Sequence, residues 1–153
     1  AEMQYGDFVF CGMDQVVNQA AKMHYMSNGQ VQVPMVLRLP VGASRRGAQH
    51  AQSTEAYWMH TPGLKVICPS NPYDAKGLLY AAIWDNNPVI FLENEILYGR
   101  SFEVPDVDDY TVPFGKARIW REGSDVTIVS FGIGMKYALE AKGYGILVAR
   151  DGN

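Results

Sequence analysis

Apolar residues at Met13, Val16, Val17 and Ala20, followed by His24, recur at helical spacing, with Gln15, Asn18, Gln19 and Lys22 available for the other side. The pattern predicts a helix from about Met13, with Asp14 in its first turn and a stop at Ser27-Asn28-Gly29, where Asn and Gly tolerate the left-handed conformation. Before it, Met3 to Phe10 reads as a short extended segment. After it, "VPMVLRLP" is a mostly apolar run bounded by prolines, a strand expected to be buried on both faces. The glycine-containing loop "VGASRRGAQH" then leads into a helix holding Thr54, Tyr57 and Trp58, ended by "TPG".

The next unit has the plainest boundaries. "LKVICPS" reads as a buried strand, Asn71 as an N-cap, Pro72 as the first helical residue and Asp74 as a first-turn carboxylate. Ala75, Leu78, Leu79, Ala82 and Ile83 form the expected apolar stripe, in which Gly77 weakens the helix or permits close packing. "NPVIFLEN" returns as a strand, so strand, helix and strand make a parallel α/β unit. "GRSFEVPDVDDYTVPFG" lacks a helical period and reads as a long acidic connection. A second unit opens near Lys116 with "KARIW" and "DVTIVSFG", then a short helix in "MKYALEAKG" and a strand in "YGILVAR". The fold class is therefore α/β, a mostly parallel sheet flanked by helices.

Composition narrows the function. With 153 residues, 48% apolar and 19% charged, the chain has the make-up of one globular domain. A net charge of -3 and the lack of a Lys/Arg run speak against nucleic acid, and no apolar run suits a bilayer. Cys11 and Cys68 lack metal-site spacing and fit a reducing compartment. There is no G-x-G-x-x-G fingerprint, Walker A sequence or H-E-x-x-H helix, and His24, His50 and His60 show no ligand spacing. His24 and His60 read as structural. His50, between a glycine-containing loop and a helix, is either structural or a proton-transfer group whose ordinary pKa lies near neutrality. Asp85, Asn86 and Asn87 either cap a helix or hold a cation with its exposed carbonyls. Glu93 and Glu95 stand past a strand end as site, interface or loop carboxylates.

Taken together, "DQVVNQAAKMHYMSNG", "VPMVLRLPVGAS", the run from "AQHAQSTEAYW" to "ENEILYGRSFEVP", and "GKARIWREGSDVTIVSFGIGM" resemble the β subunits of thiamine-diphosphate-dependent 2-oxo acid dehydrogenases, the pyruvate dehydrogenase E1 type above all. The resemblance extends to about Ala141. It implies a transketolase-like pyrimidine-binding fold over residues 1–115, acidic connection included, and the start of a transketolase C-terminal-like domain over 116–153. It further implies oxidative decarboxylation of pyruvate and reductive acetylation of E2 lipoamide. The implied partners are an E1 α subunit, a second β subunit in a heterotetramer, and the E2 lipoyl acyltransferase. Thiamine diphosphate is the implied cofactor, with its Mg2+ held mainly by the α subunit. The setting would be the cytoplasm of a bacterium or the mitochondrial matrix of a eukaryote.

Residue by residue, the resemblance makes His50 the active-site histidine and puts Gln4 and Tyr5 beside the aminopyrimidine. Met35, Ala82, Ile83, Asp85 and Asn87 match a structural potassium site, chiefly through oxygen ligands. The sequence also departs from the family. The glutamate that activates the aminopyrimidine belongs to a stretch before Ala1, and its role passes to none of Glu2, Glu93 or Glu95. The loop before His50 is shorter and carries Arg45-Arg46, and the pattern after Met135 breaks down, as if the chain were truncated at both ends. Branched-chain 2-oxo acid and acetoin dehydrogenase β subunits are the related alternatives. A non-catalytic assembly protein derived from the family is the third.

Overall fold

The computed structural model describes residues 1–43 and 46–141, together with the strand path of 146–150. Its main sheet has three parallel strands in the order β1-β3-β2: β1 (Val36–Val41), β2 (Lys65–Ile67) and β3 (Val89–Asn94). Val36 pairs with Val89, and Lys65 pairs with Val89 from the other side. β3 is thus central, and Val89 to Glu93 are all buried. β1 differs from the expectation of two buried faces. Leu37, Leu39 and Val41 are buried, but Val36, Arg38 and Pro40 are only half-buried. The cause is its place at the side of the sheet, where only residues 1–3 run alongside. Arg38 N–H donates to Ala1 O at 3.0 Å, and Met3 N–H donates to Arg38 O at 3.0 Å.

The expected extended segment ends there. Gly6–Gly12 instead form a 3₁₀ helix, entered where Gly6 passes so close to β1 that a Cβ would lie 2.8 Å from Val41 Cγ1. The predicted first helix is present as a π-helical run, Gln15–Ala20, continuing into α1 (Ala21–Met26). Asn28 and Gly29 end it at φ of 53° and 81°. The second helix is shorter than predicted: α2 covers Glu55–Met59, and Ala48–His50 form a separate 3₁₀ turn. Trp58 of α2 is fully buried and its Nε1–H donates to Thr54 Oγ1 at 3.1 Å.

The helix α3 (Pro72–Ile83) follows its predicted boundaries, with Pro72 in the first turn and Asn71 Oδ1 accepting from Asp74 N–H at 2.9 Å. Gly77 serves close packing. A Cβ there would meet Val112 Cγ2 at 2.5 Å and Tyr110 Cε1 at 2.7 Å, and its carbonyl accepts from Val112 N–H at 3.1 Å. The connection 99–115 is therefore strapped across α3. Ile83, expected in the apolar stripe, is the last residue of α3 and is exposed. One core cluster joins Leu37, Leu39, Trp58, Ile90 and Leu92; a second, on the α3 side, joins Ile67, Leu78, Ala82, Phe91 and Val112.

A smaller sheet pairs β4 (Val126–Ser130) in parallel with β5 (Ile146–Arg150), with α4 (Gly132–Glu140) between them in sequence. "KARIW" forms no regular element. Arg45, Lys142, Gly143, Tyr144 and the tail after Arg150, on which parts of the sequence expectations fall, lie outside the described residues.

Candidate functional site

In parallel α/β sheets the loops leaving the carboxyl ends of strands gather the polar groups that meet ligands. Here the carboxyl ends of β1 and β3 are in register, Val41 opposite Asn94. The β1 loop leaves through Gly42, whose φ of 101° excludes most side chains and whose Cβ position is filled by Asn94 Nδ2 at 2.3 Å. The loop then reaches the 3₁₀ turn of His50, closed by His50 N–H donating to Gly47 O at 3.1 Å.

His50 is half-buried between two aromatic rings. Tyr5 stands edge-on to the imidazole with centroids 4.6 Å apart, and Phe8 does so at 5.3 Å. The structure therefore brings Tyr5 and His50 together, with Gln4 exposed one residue before Tyr5. Both sides of the His50 turn are tied down. Upstream, Arg46 donates from Nη1 to Tyr5 Oη at 3.3 Å and faces Glu95 Oε2 across 3.7 Å. Downstream, Asp7 Oδ1 accepts from Gln52 N–H at 3.3 Å, while Gly42 N–H donates to Gln52 O at 2.9 Å. Among the described residues, Asp7 Oδ2 and Glu95 Oε1 are buried acceptors that meet no donor. Asp7 and Phe8 were missed in the sequence; the usable signal was a lone carboxylate inside the aromatic stretch "YGDFVF".

Glu93 has a different role from Glu95. It is buried on the β1–β3 face, where Arg38 grips it with two donors, Nε to Oε1 at 2.7 Å and Nη2 to Oε2 at 3.0 Å. Tyr98 adds its hydroxyl to Glu93 Oε2 at 2.8 Å. A hollow of about 320 Å³ beside α3 is lined by Arg38, Glu93, Tyr98, Lys76 and Arg100. Its charges are already paired, Lys76 with Pro105 O and Arg100 with Glu140, so its geometry is structural rather than receptive. Burial of its hydroxyl end, then the bond to Glu93, raise the Tyr98 pKa well above the ordinary phenol value. A raised folded-state pKa adds stability below the unfolded value, about 10, and that contribution is lost as pH rises through the folded one. Alkaline titration of phenolate absorbance should show a late component, and Tyr98→Phe should remove it.

Of the predicted cation residues, Ala82 and Ile83 lie in the last turn of α3, Asp85 and Asn87 just past it, and Met35 just before β1. Met35 O accepts from Val89 N–H at 2.8 Å, and Ala82 O accepts from Asp85 N–H at 3.2 Å. Asp85 Oδ1 takes both the backbone N–H and the side-chain amide of Asn87, at 2.8 and 2.9 Å, and Oδ2 pairs with the Lys65 ammonium. Burial works against the Asp85 anion, yet the bonds from Lys65 and Asn87 outweigh it and hold its pKa below the usual range. The helix end is capped and remains rich in oxygen. His24 is structural: its Nδ1 lies 3.0 Å from Val31 O. Among the described residues, no group of three or more His, Cys, Asp or Glu side chains is placed to hold a metal ion, and no helix is long and apolar enough to cross a membrane.

A parallel sheet flanked by helices, with a histidine on the β1 loop set against two aromatic rings, defines an α/β domain of the parallel class. The chain belongs to the family described as transketolase, pyrimidine binding domain, whose pattern matches residues 1–100. It is 60% identical over 136 residues to the pyruvate dehydrogenase E1 component subunit beta of Rhizobium meliloti (strain 1021), covering 88% of this chain and 30% of that protein. It is 51% identical over 142 residues to the acetoin:2,6-dichlorophenolindophenol oxidoreductase subunit beta of Cupriavidus necator (strain ATCC 17699 / DSM 428 / KCTC 22496 / NCIMB 10442 / H16 / Stanier 337), covering 92% of this chain and 42% of that one. The chain thus spans less than half the length of these relatives. In fold it matches a solved structure described as a split gene transketolase, inactive beta4 tetramer, with a TM-score of 0.72 at 19% identity, covering 95% of this chain and 46% of that one.

Proposed function

We propose that this chain forms the pyrimidine-binding part of a pyruvate dehydrogenase E1 β subunit, working with an α subunit, a second β subunit and an E2 lipoyl acyltransferase. The reading rests chiefly on the 60% identity to the Rhizobium meliloti subunit, against 51% for the acetoin relative. Residues 1–115 are assigned to the pyrimidine-binding domain and 116–153 to the start of the following one. The separate β4–β5 sheet supports that division.

The site fits an aminopyrimidine. Such a ring needs an apolar wall and acceptors for its N–H groups, and the cluster provides Tyr5, Phe8 and the orphaned buried acceptor Asp7 Oδ2. Thiamine diphosphate, once bound, supplies the electron sink for decarboxylation. The chain's own residues orient and manage protons. Tyr5 and Phe8 wall the site, with Gln4 at its edge, and His50 holds or delivers a proton from a ring nitrogen towards the reacting substrate. The diphosphate and Mg2+ are left to the α subunit. At the end of α3, carbonyls of Met35, Ala82 and Ile83 with Asp85 and Asn87 would hold potassium. The depressed Asp85 pKa suits that use, since the carboxylate stays ionised.

The test is an α–β complex whose β subunit carries this sequence, assayed with pyruvate, 2-oxoisovalerate and acetoin. Pyruvate should lead in kcat/KM by at least about tenfold, a difference of roughly 1.4 kcal/mol in transition-state binding. The purified chain without an α subunit should show no turnover. A lead for either other substrate, or turnover by the chain alone, would overturn the reading.

A further inference from the structure

Glu95 is the least explained carboxylate in the structure. Its side chain is 10% exposed; among the described residues Oε1 meets no donor, and the cation paired with it is Arg46, 3.7 Å from Oε2. An ionised carboxylate buried this far needs a counter-charge, and losing its partner would leave an uncompensated charge. The 66% exposed Arg46 has little packing to hold it, so Glu95 and Tyr5 decide where its guanidinium lies.

That position bears on His50. Arg46 bonds Tyr5 Oη, and the same Tyr5 presents its ring edge to His50 at 4.6 Å. Glu95 belongs to the turn following β3, which Asn94 caps by accepting from Ile96 N–H at 3.1 Å, so it stands on a fixed base. A line of contacts therefore runs from the end of β3 through one exposed cation to the aromatic wall of the histidine.

We infer that Glu95 is a positioning residue for His50: it anchors Arg46, which in turn holds the Tyr5 ring against the imidazole. The inference rests on the reading of His50 as the working residue, but its test does not require turnover. With the spare oxygen Oε1, the carboxylate can take a second guanidinium donor, a two-point grip that a lysine at position 46 could not reproduce.

The experiment is site-resolved acylation of the purified chain by diethyl pyrocarbonate, with the rate at each of His24, His50 and His60 followed by peptide mass spectrometry. Glu95→Gln should speed His50 modification about threefold or more, within the coupling range of contacting residues. His24 and His60 should react at wild-type rates. Arg46→Gln, on an exposed side chain that folding does not require, should give a similar rise, and the double variant no more than either single one. An unchanged His50 rate in Arg46→Gln would overturn the inference, as would equal acceleration of all three histidines. Either failure would leave the role of His50 itself to turnover measurements.

Discussion

An α–β complex carrying His50→Ala should lose at least about 100-fold in kcat with pyruvate, the low end of what a positioned proton donor contributes. The imidazole is half-buried and packed by Tyr5 and Phe8, outside both main core clusters, so the melting temperature should move little. His50→Gln sharpens the test. It keeps polarity and much of the volume but cannot transfer a proton near neutral pH, and it should fall nearly as far as alanine. If His50 only filled the turn, glutamine would restore most of the rate. A full-rate His50→Gln complex would remove the histidine from the chemistry.

Trp58→Ala should cost about 3–5 kcal/mol of stability, the range for emptying a large aromatic site in a packed core. Trp58 is 0% exposed and belongs to the cluster that joins α2 to Leu39 and Leu92 of the main sheet. Its indole N–H also satisfies Thr54 Oγ1, which is itself fully buried. Trp58→Phe separates the two contributions. It keeps most of the packing but leaves the Thr54 hydroxyl short of a donor, a loss of about 1–3 kcal/mol. Urea unfolding of the three proteins checks the order wild type, phenylalanine, alanine. A phenylalanine variant as stable as wild type would show that the indole bond adds nothing.

Local signals carried α3 well. Asn71, Pro72 and Asp74 make a helix start by chemistry acting within four residues, and the structure reproduces it. The parallel strand-helix-strand unit was equally readable, because β3 is apolar throughout and sits in the middle of the sheet. The stretch from Met3 to Phe10 was not. It reads as extended, but from Gly6 onwards it coils into a 3₁₀ helix, and Gly6 there passes close to Val41, 35 residues away along the chain (41 − 6). Likewise the half-exposed face of β1 depends on which strands stand beside it, a property of the whole sheet. His50 could be singled out by its loop; the family resemblance implied separate roles for His50 and Tyr5, and their ring contact emerged only in the structure. The hydrogen bonds of Arg46 and Asp7 were not legible in the sequence, since they join positions about 40 residues apart in chain order.

The strand order has a bearing on how the protein is born. β1 and β2 flank β3 and do not neighbour each other, so β2 has no partner in this sheet, and β1 none beyond the short bridge from residues 1–3, until residues 89–94 have been made. A ribosome working at roughly 5–20 residues per second would leave Leu37 and Leu39 waiting for seconds, their oily faces uncovered. The middle strand is the keystone laid last, and a nascent chain stalled short of it would be a natural customer for a chaperone.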